Sequence, residues 1–297
     1  MTAVRCSAFV AGLLAAAAAC AATDVLVVEG LGGEARYADA FALEAEAVAA
    51  AAATLPGDVR ITRLRGADAN REAVAAYFAD LSAPDLLLVY LIGHGSFNDI
   101  DFKFNIPGPD FTDTELATWL DDTTGGTQLV VLTGSASGAA SDTLANDRRI
   151  IITATRSGVE RHATRFGEFF AAALSDPSAD LDKNRRITAR EAFDYAARAV
   201  ADTFKEAQQL ATEHALLAGQ RADRLTLARI DETPTAPADD DPELARLTAE
   251  RDRLNAEIEA LQLARERLSV DEYRDTFTRL LIELAQTEEA IDERANR

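Results

Sequence analysis

His94 stands in Tyr90-Leu91-Ile92-Gly93-His94-Gly95, at the end of the strongest strand pattern in the chain. Glycines on both sides allow a sharp turn, which leaves an imidazole exposed at a strand end, where a general base is useful. Forty-one residues later, Thr133-Gly134-Ser135-Ala136-Ser137-Gly138 follows the aliphatic run Gln128–Leu132. A tight turn of small residues with two hydroxyls suits a nucleophile, because its oxygen is open and nearby backbone N–H groups can receive an oxyanion. Ser135 is the candidate nucleophile, with Ser137 as the alternative hydroxyl. Taken alone, each loop reads as an ordinary turn; together they point to acyl transfer.

A third constellation has hard oxygen donors. Asp180, Asp182, Asn184, Thr188 and Glu191 fall at positions 1, 3, 5, 9 and 12 of an EF-hand loop, and Arg186 offers its backbone carbonyl at position 7. Ile187 fills the aliphatic position 8. Arg185 stands where the template wants glycine, so the expectation is a weakened, structural calcium site. Thr188 and Glu191 also make a helix capping box on their own account. Gly30-Leu31-Gly32-Gly33 lacks the acid that a dinucleotide loop needs on the next strand and reads as a tight turn.

Alternating strand and helix patterns must position these loops. Segments at 24–28, 59–64, 85–92, 128–132 and 149–155 predict strands, and four of them are nearly continuous aliphatic runs, as expected for strands covered on both faces. Helical patterns at 35–54, 69–81, 113–120 and 163–174 lie between and after them, and a longer one is predicted over 188–217. The expected fold is α/β, a mostly parallel sheet with helices on both faces. In such sheets ligands sit in loops at the carboxyl ends of strands, which is where His94 and Ser135 fall.

The order of His and nucleophile on successive strands resembles the caspase-like cysteine peptidases, including metacaspases and legumains. Tyr90, Gly93, His94 and Gly95 match their His motif, and Ser135-Ala136-Ser137-Gly138 falls on the last four positions of their nucleophile motif. The strand RIIITAT with Arg156-Ser157-Gly158 looks like the strand that lines their specificity pocket. The resemblance covers about residues 24–215. It implies a peptide or protein ligand, backbone N–H groups of Gly95 and Ser135 around an oxyanion, and Arg156 or Glu160 near the substrate side chain. Asp99 and Asp101 are candidate orienters of His94.

The departure is as informative as the match. The only cysteines are Cys6 and Cys20, both in the first twenty residues, so cysteine-peptidase chemistry has no thiol in the body. A serine hydroxyl needs a well-aligned base where a thiol does not. Two readings follow: a Ser/His hydrolase of peptide or ester bonds, or an inactive pseudopeptidase that binds or scaffolds peptides and proteins.

Residues 1–22 follow the tripartite pattern of a secretory signal peptide, with Cys20 a candidate lipid-anchor site. The expected location is therefore periplasmic or extracellular, without a transmembrane span. The formal net charge of −20 is the wrong sign for nucleic-acid binding. After the domain at 23–230, the Pro- and Asp-rich residues 231–241 read as a linker. Residues 242–297 carry Leu247, Leu254, Leu261 and Leu268 at heptad spacing, and Ser269–Glu272 starts a second helix. A helical hairpin or short coiled coil follows, open to self-association.

Overall fold

A computed structural model describes residues 22–230 and 242–295, apart from 264, 266 and 267. The predicted leader up to residue 21, Cys20 included, and the linker 231–241 lie outside the described residues.

The α/β domain opens with strand β1 (Ala22–Glu29), helix α1 (Ala35–Ala52), β2 (Asp58–Leu64), α2 (Arg71–Asp80) and β3 (Leu86–Ile92). Three short strands follow, β4 (Gly95–Phe97), β5 (Phe102–Phe104) and β6 (Phe111–Thr112). Next come α3 (Asp113–Asp122), β7 (Thr127–Leu132), α4 (Ser141–Leu144), β8 (Arg149–Thr153) and α5 (Phe166–Ala173). The domain ends with β9 (Arg186–Thr188), α6 (Ala189–Glu206), β10 (Leu216–Ala218) and β11 (Thr226–Arg229). Helices α7 (Pro242–Leu263) and α8 (Val270–Ala295) complete the chain.

The main sheet has the order β10-β8-β7-β3-β1-β2, parallel throughout except for β10. Side chains alternate across each strand, so an aliphatic run feeds two cores at once. Val25, Val27, Leu88, Tyr90, Leu129 and Val131 pack with Phe41 and Val48 of α1 and with Phe166 and Phe170 of α5. Leu26, Val28, Leu87, Val89 and Val130 pack on the other face with Phe78 of α2 and Leu116 and Leu120 of α3. This double burial is why the strands read as unbroken apolar segments.

One expectation is corrected. The helix predicted over 188–217 ends at Glu206, where Gln208 takes a left-handed φ of 53°. The chain then returns as β10, antiparallel to β8, with Leu216 opposite Thr153. Residues 207–215 are locally compatible with helix, but the open edge of β8 offers backbone partners that a helix there would leave unused. The sequence also gave no sign of the three-stranded sheet β4-β5-β6, whose strands are two or three residues long.

The capping boxes are present at Thr112/Glu115 and Thr188/Glu191. Helices α7 and α8 pack on each other around Leu254, Ile258 and Leu280, a core separate from the two of the α/β domain. Leu247 and Leu261 of the heptad series are half-buried, while Leu268 lies beyond α7 and is exposed. Among the described residues no helix is long and apolar enough to cross a membrane.

Candidate functional site

From β1 the chain runs outward to β2 and then back to β3 on the opposite side, so the switch point of the sheet lies between β1 and β3. Loops at the carboxyl ends of β1, β3, β7 and β8 share one edge, and antiparallel β10 enters from that same edge. This topology places His94, Gly95, Ser135, Ser137, Arg156 and Glu160 on a single rim. The calcium-template residues lie apart from it, in the turn before α6.

Glycines let the rim loops touch backbone to backbone. A Cβ on Gly93 would stand 3.0 Å from the Gly30 Cα; one on Gly134 would stand 3.1 Å from the His94 carbonyl carbon. A Cβ on Gly95 would stand 2.6 Å from the Ser135 carbonyl oxygen. The His and Ser turns are therefore in direct contact. Ala136, the next residue, has a left-handed φ of 57°, an uncommon state for a residue with a Cβ. Its N–H donates to the Glu160 carbonyl at 2.8 Å, which fixes the turn.

Ser135 is 6% exposed, and its Oγ donates to the Gly95 carbonyl at 2.9 Å. Ser137 is fully buried, its Oγ 3.3 Å from the Thr155 hydroxyl and accepting from the Thr155 N–H. It is a structural tie between β7 and β8, closed to any ligand.

The His94 ring is half-buried and faces α1, edge-on to Tyr37 at 4.8 Å and Phe41 at 5.1 Å between centroids. Burial lowers its pKa; a hydrogen bond to the Gly32 backbone and the charge of Glu34 pull partly the other way. The net lowering favours the neutral imidazole. Neither Asp99 nor Asp101 is a hydrogen-bond partner of the ring among the described residues; Asp99 instead pairs with Arg161 at 3.3 Å. No hydrogen bond joins Ser135 to His94 among the described residues.

Behind this pair, one turn beyond Phe41 on α1, Glu44 is 9% exposed and its Oε2 has no partner among the described residues. Gly167 of α5 packs directly on that oxygen. Burial, with Glu168 adding repulsion, raises the Glu44 pKa to about 8. On the other flank, the Glu160 carboxylate is 10% exposed. It accepts from the Arg156 N–H (3.1 Å) and the His214 N–H (3.1 Å), and lies 3.3 Å from Arg156 Nε and 2.7 Å from His214 Nδ1. Glu160 is thus a brace whose own carboxylate is turned to the protein; Arg156 is exposed above it.

Sequence reading missed the α1 face of His94, Glu44 and the role of His214. The signal for the first was available: Gly30–Gly33 ends β1 at the switch point, where ligand loops are expected. His214 carried no local signal, because the strand that brings it to the rim was read as helix.

In the loop before α6, oxygens of Asp180, Asp182 and Glu191 lie within 4.8 Å of one another. Asp180 accepts from the N–H groups of Asn184 and Arg185, and Arg185 takes a φ of 63°, the conformation for which the template uses glycine. Glu191 already accepts from Leu181 N–H and from the Thr188 N–H and hydroxyl. The template's short strand is present as β9, which pairs with β11. The donors are of the hard-oxygen type calcium takes, with Glu191 shared between the loop and the helix cap.

Compared with family models and with curated proteins, the sequence matches none.

Proposed function

We propose that this is an exported protein of caspase-like architecture that binds peptides along the carboxyl edge of its sheet without cleaving them. The observation that carries the reading is the Ser135 hydroxyl. It occupies the position of the thiol in the peptidases the sequence resembles, yet it is buried and gives its proton to the Gly95 carbonyl. His94 meanwhile packs its ring against Tyr37 and Phe41. A serine without an aligned base is a poor nucleophile. Support for the architecture comes from His94 ending β3 and Ser135 ending its neighbour β7.

The test is fluorophosphonate labelling of the folded protein with mass-spectrometric mapping, beside retention of peptides from an immobilised library. Peptide retention with no label on Ser135 is the expected result. Label on Ser135 that is lost in both Ser135→Ala and His94→Ala overturns it in favour of a Ser/His hydrolase.

That second reading has one point behind it: burial lowers the His94 pKa and so favours the neutral ring that a general base needs. In it, Ser135 Oγ attacks a carbonyl carbon as His94 takes the hydroxyl proton. The Gly95 and Ser135 N–H groups hold the oxyanion, and the proton passes to the leaving group.

Export rests on the leader alone, with Cys20 as the anchor point, and is tested by the mass of the mature N-terminus. A structural calcium ion at Asp180, Asp182, Asn184, the Arg186 carbonyl, Thr188 and Glu191 is a separate proposal resting on the loop template. Self-association through α7 and α8 is another, supported by Leu281 and Ile282, which are exposed on α8.

A further inference from the structure

Two large apolar residues in the middle of α8 stay open after the hairpin has closed. Phe277, Leu280 and Leu284 turn to α7 and join the core around Leu254 and Ile258. Leu281 and Ile282, next in the chain, are 43% and 54% exposed. With 3.6 residues per turn, Arg274, Thr278, Ala285 and Glu289 all fall within about 50° of the line that runs between Leu281 and Ile282. All four are exposed. The same side carries a groove of about 600 Å³ whose lining includes Arg274, Thr278 and Ile282, and none of its lining residues belongs to α7.

This face is complementary to itself when reversed. Arg274 and Glu289 are equally far from the midpoint between Leu281 and Ile282, about 11 Å each way at 1.5 Å per residue. Thr278 and Ala285 are also equidistant from it, and both are small. A two-fold axis through that midpoint, perpendicular to the helix, sets Arg274 of one copy against Glu289 of the other. It sets Thr278 against Ala285, and the Leu281–Ile282 step against itself. Glu288 brings a second acid to the same end. Within its own helix Arg274 reaches Asp271 at 3.0 Å and Asp275 at 3.3 Å, yet 64% of its side chain is exposed. Glu288 and Glu289 have no ion pair among the described residues. A parallel pairing in register would instead stack Arg274 on Arg274 and Glu289 on Glu289.

We propose that a second copy of this chain docks on this face of α8, antiparallel to the first, so that two hairpins form one four-helix bundle. This rests on the self-association reading and names its face, orientation and register. Thr278 and Ala285 let the two helices approach, the Leu281–Ile282 steps bury each other, and each Arg–Glu contact occurs twice. Two copies of net charge −20 repel through their overall field, so the face they share requires opposite charges placed locally.

The test is analytical ultracentrifugation of the full chain over a concentration series. Wild type is expected to dimerise. Arg274→Glu and Glu289→Arg each place like charges at both symmetry-related contacts, and each is expected to weaken the dimer by about tenfold. Mixed one to one, the two variants are expected to restore wild-type association, because unlike copies then meet opposite charge at both contacts. Leu281→Gln combined with Ile282→Gln is expected to abolish it, with circular dichroism showing that helix content is kept. Orientation is read by disulfide capture in a chain carrying Cys6→Ser and Cys20→Ser. Ile282→Cys is expected to cross-link to its own copy and Arg274→Cys is not, since the axis holds the two copies of position 274 about 22 Å apart. Three results overturn this face and register alone: a dimer that survives the double Gln variant, charge variants whose mixture stays as weak as either, and cross-linking through Arg274→Cys. A chain that is monomeric at every concentration overturns the self-association reading and this face with it.

Discussion

The Ser135 hydroxyl and the Gly95 carbonyl are joined by a 2.9 Å hydrogen bond across the ends of β7 and β3. This bond ties together the two loops whose residues could do chemistry. Removing it with Ser135→Ala leaves a carbonyl short of one partner in a half-buried turn, at a cost of about 1 kcal/mol. Urea unfolding should report that loss. Peptide retention should change less than about twofold, since a residue that only ties the loops adds little to binding. A loss of retention of about tenfold or more would place Ser135 in direct contact with ligand.

Gly134 gives a sharper structural test. A side chain there would press on the Gly93 carbonyl, with the Gly95 nitrogen only 3.0 Å away. Both are backbone atoms that cannot swing aside. Gly134→Ala should destabilise by about 1–3 kcal/mol and disturb the His94 environment. Thermal unfolding and the His94 ring resonances in NMR measure the two effects separately.

Glu44 makes stability depend on pH in an unusual direction. Its folded pKa of about 8 stands above the ordinary 4.5, so between those values the folded state binds a proton that the unfolded state has released. Stability from this residue is full below pH 4.5, declines as pH rises and is lost above about 8, with an upper bound of about 5 kcal/mol. Glu44→Gln should flatten that part of the profile and make the protein more stable than wild type at pH 9. Urea titrations at pH 5, 7 and 9 check it; a Gln variant with an unchanged slope would sink the assignment.

The parts of this fold that were legible in the sequence are those whose pattern is local. Leu86–Ile92 is buried at every position, so its aliphatic run could mean only a doubly covered strand or a buried helix, and its seven residues decided for strand. Thr112, with Glu115 three residues on, announced the start of α3 at Asp113. What stayed hidden depends on partners distant in the chain. The segment Leu216–Ala218 is strand because β8 has a free edge, which residues 207–215 do not record. His214 reaches Glu160 across 54 residues, and His94 meets Tyr37 and Phe41 on a helix that precedes it by two strands. The site was thus readable as two loops, while the groups that orient them were not.

Arg149 tests the far end of β8. Its side chain is 1% exposed and donates to Gln128 Oε1 at 2.9 Å, to the Leu144 carbonyl and to Asp121 Oδ1 at 2.8 Å. Burying a guanidinium is costly, and here the cost is met by three acceptors from three elements. Arg149→Ala strands two buried acceptors and opens a cavity, so a loss of about 3–5 kcal/mol is expected in chemical unfolding. Because this position is at the opposite edge from His94, peptide retention by whatever fraction remains folded should be unaltered.

The loop before α6 separates capping from metal binding. Glu191 caps the helix through the Thr188 N–H and hydroxyl, so Glu191→Ala should cost about 1 kcal/mol even in the absence of calcium. Asp182 is exposed, and its contacts are with Asn184 alone among the described residues. Asp182→Ala should therefore leave calcium-free stability nearly unchanged. If the loop holds calcium, millimolar calcium will raise the wild-type Tm and excess chelator will lower it, because an ion that binds only the folded state stabilises it by mass action. Asp182→Ala should abolish most of that shift. A wild-type Tm that ignores both calcium and chelator would leave the loop as a helix start and nothing more.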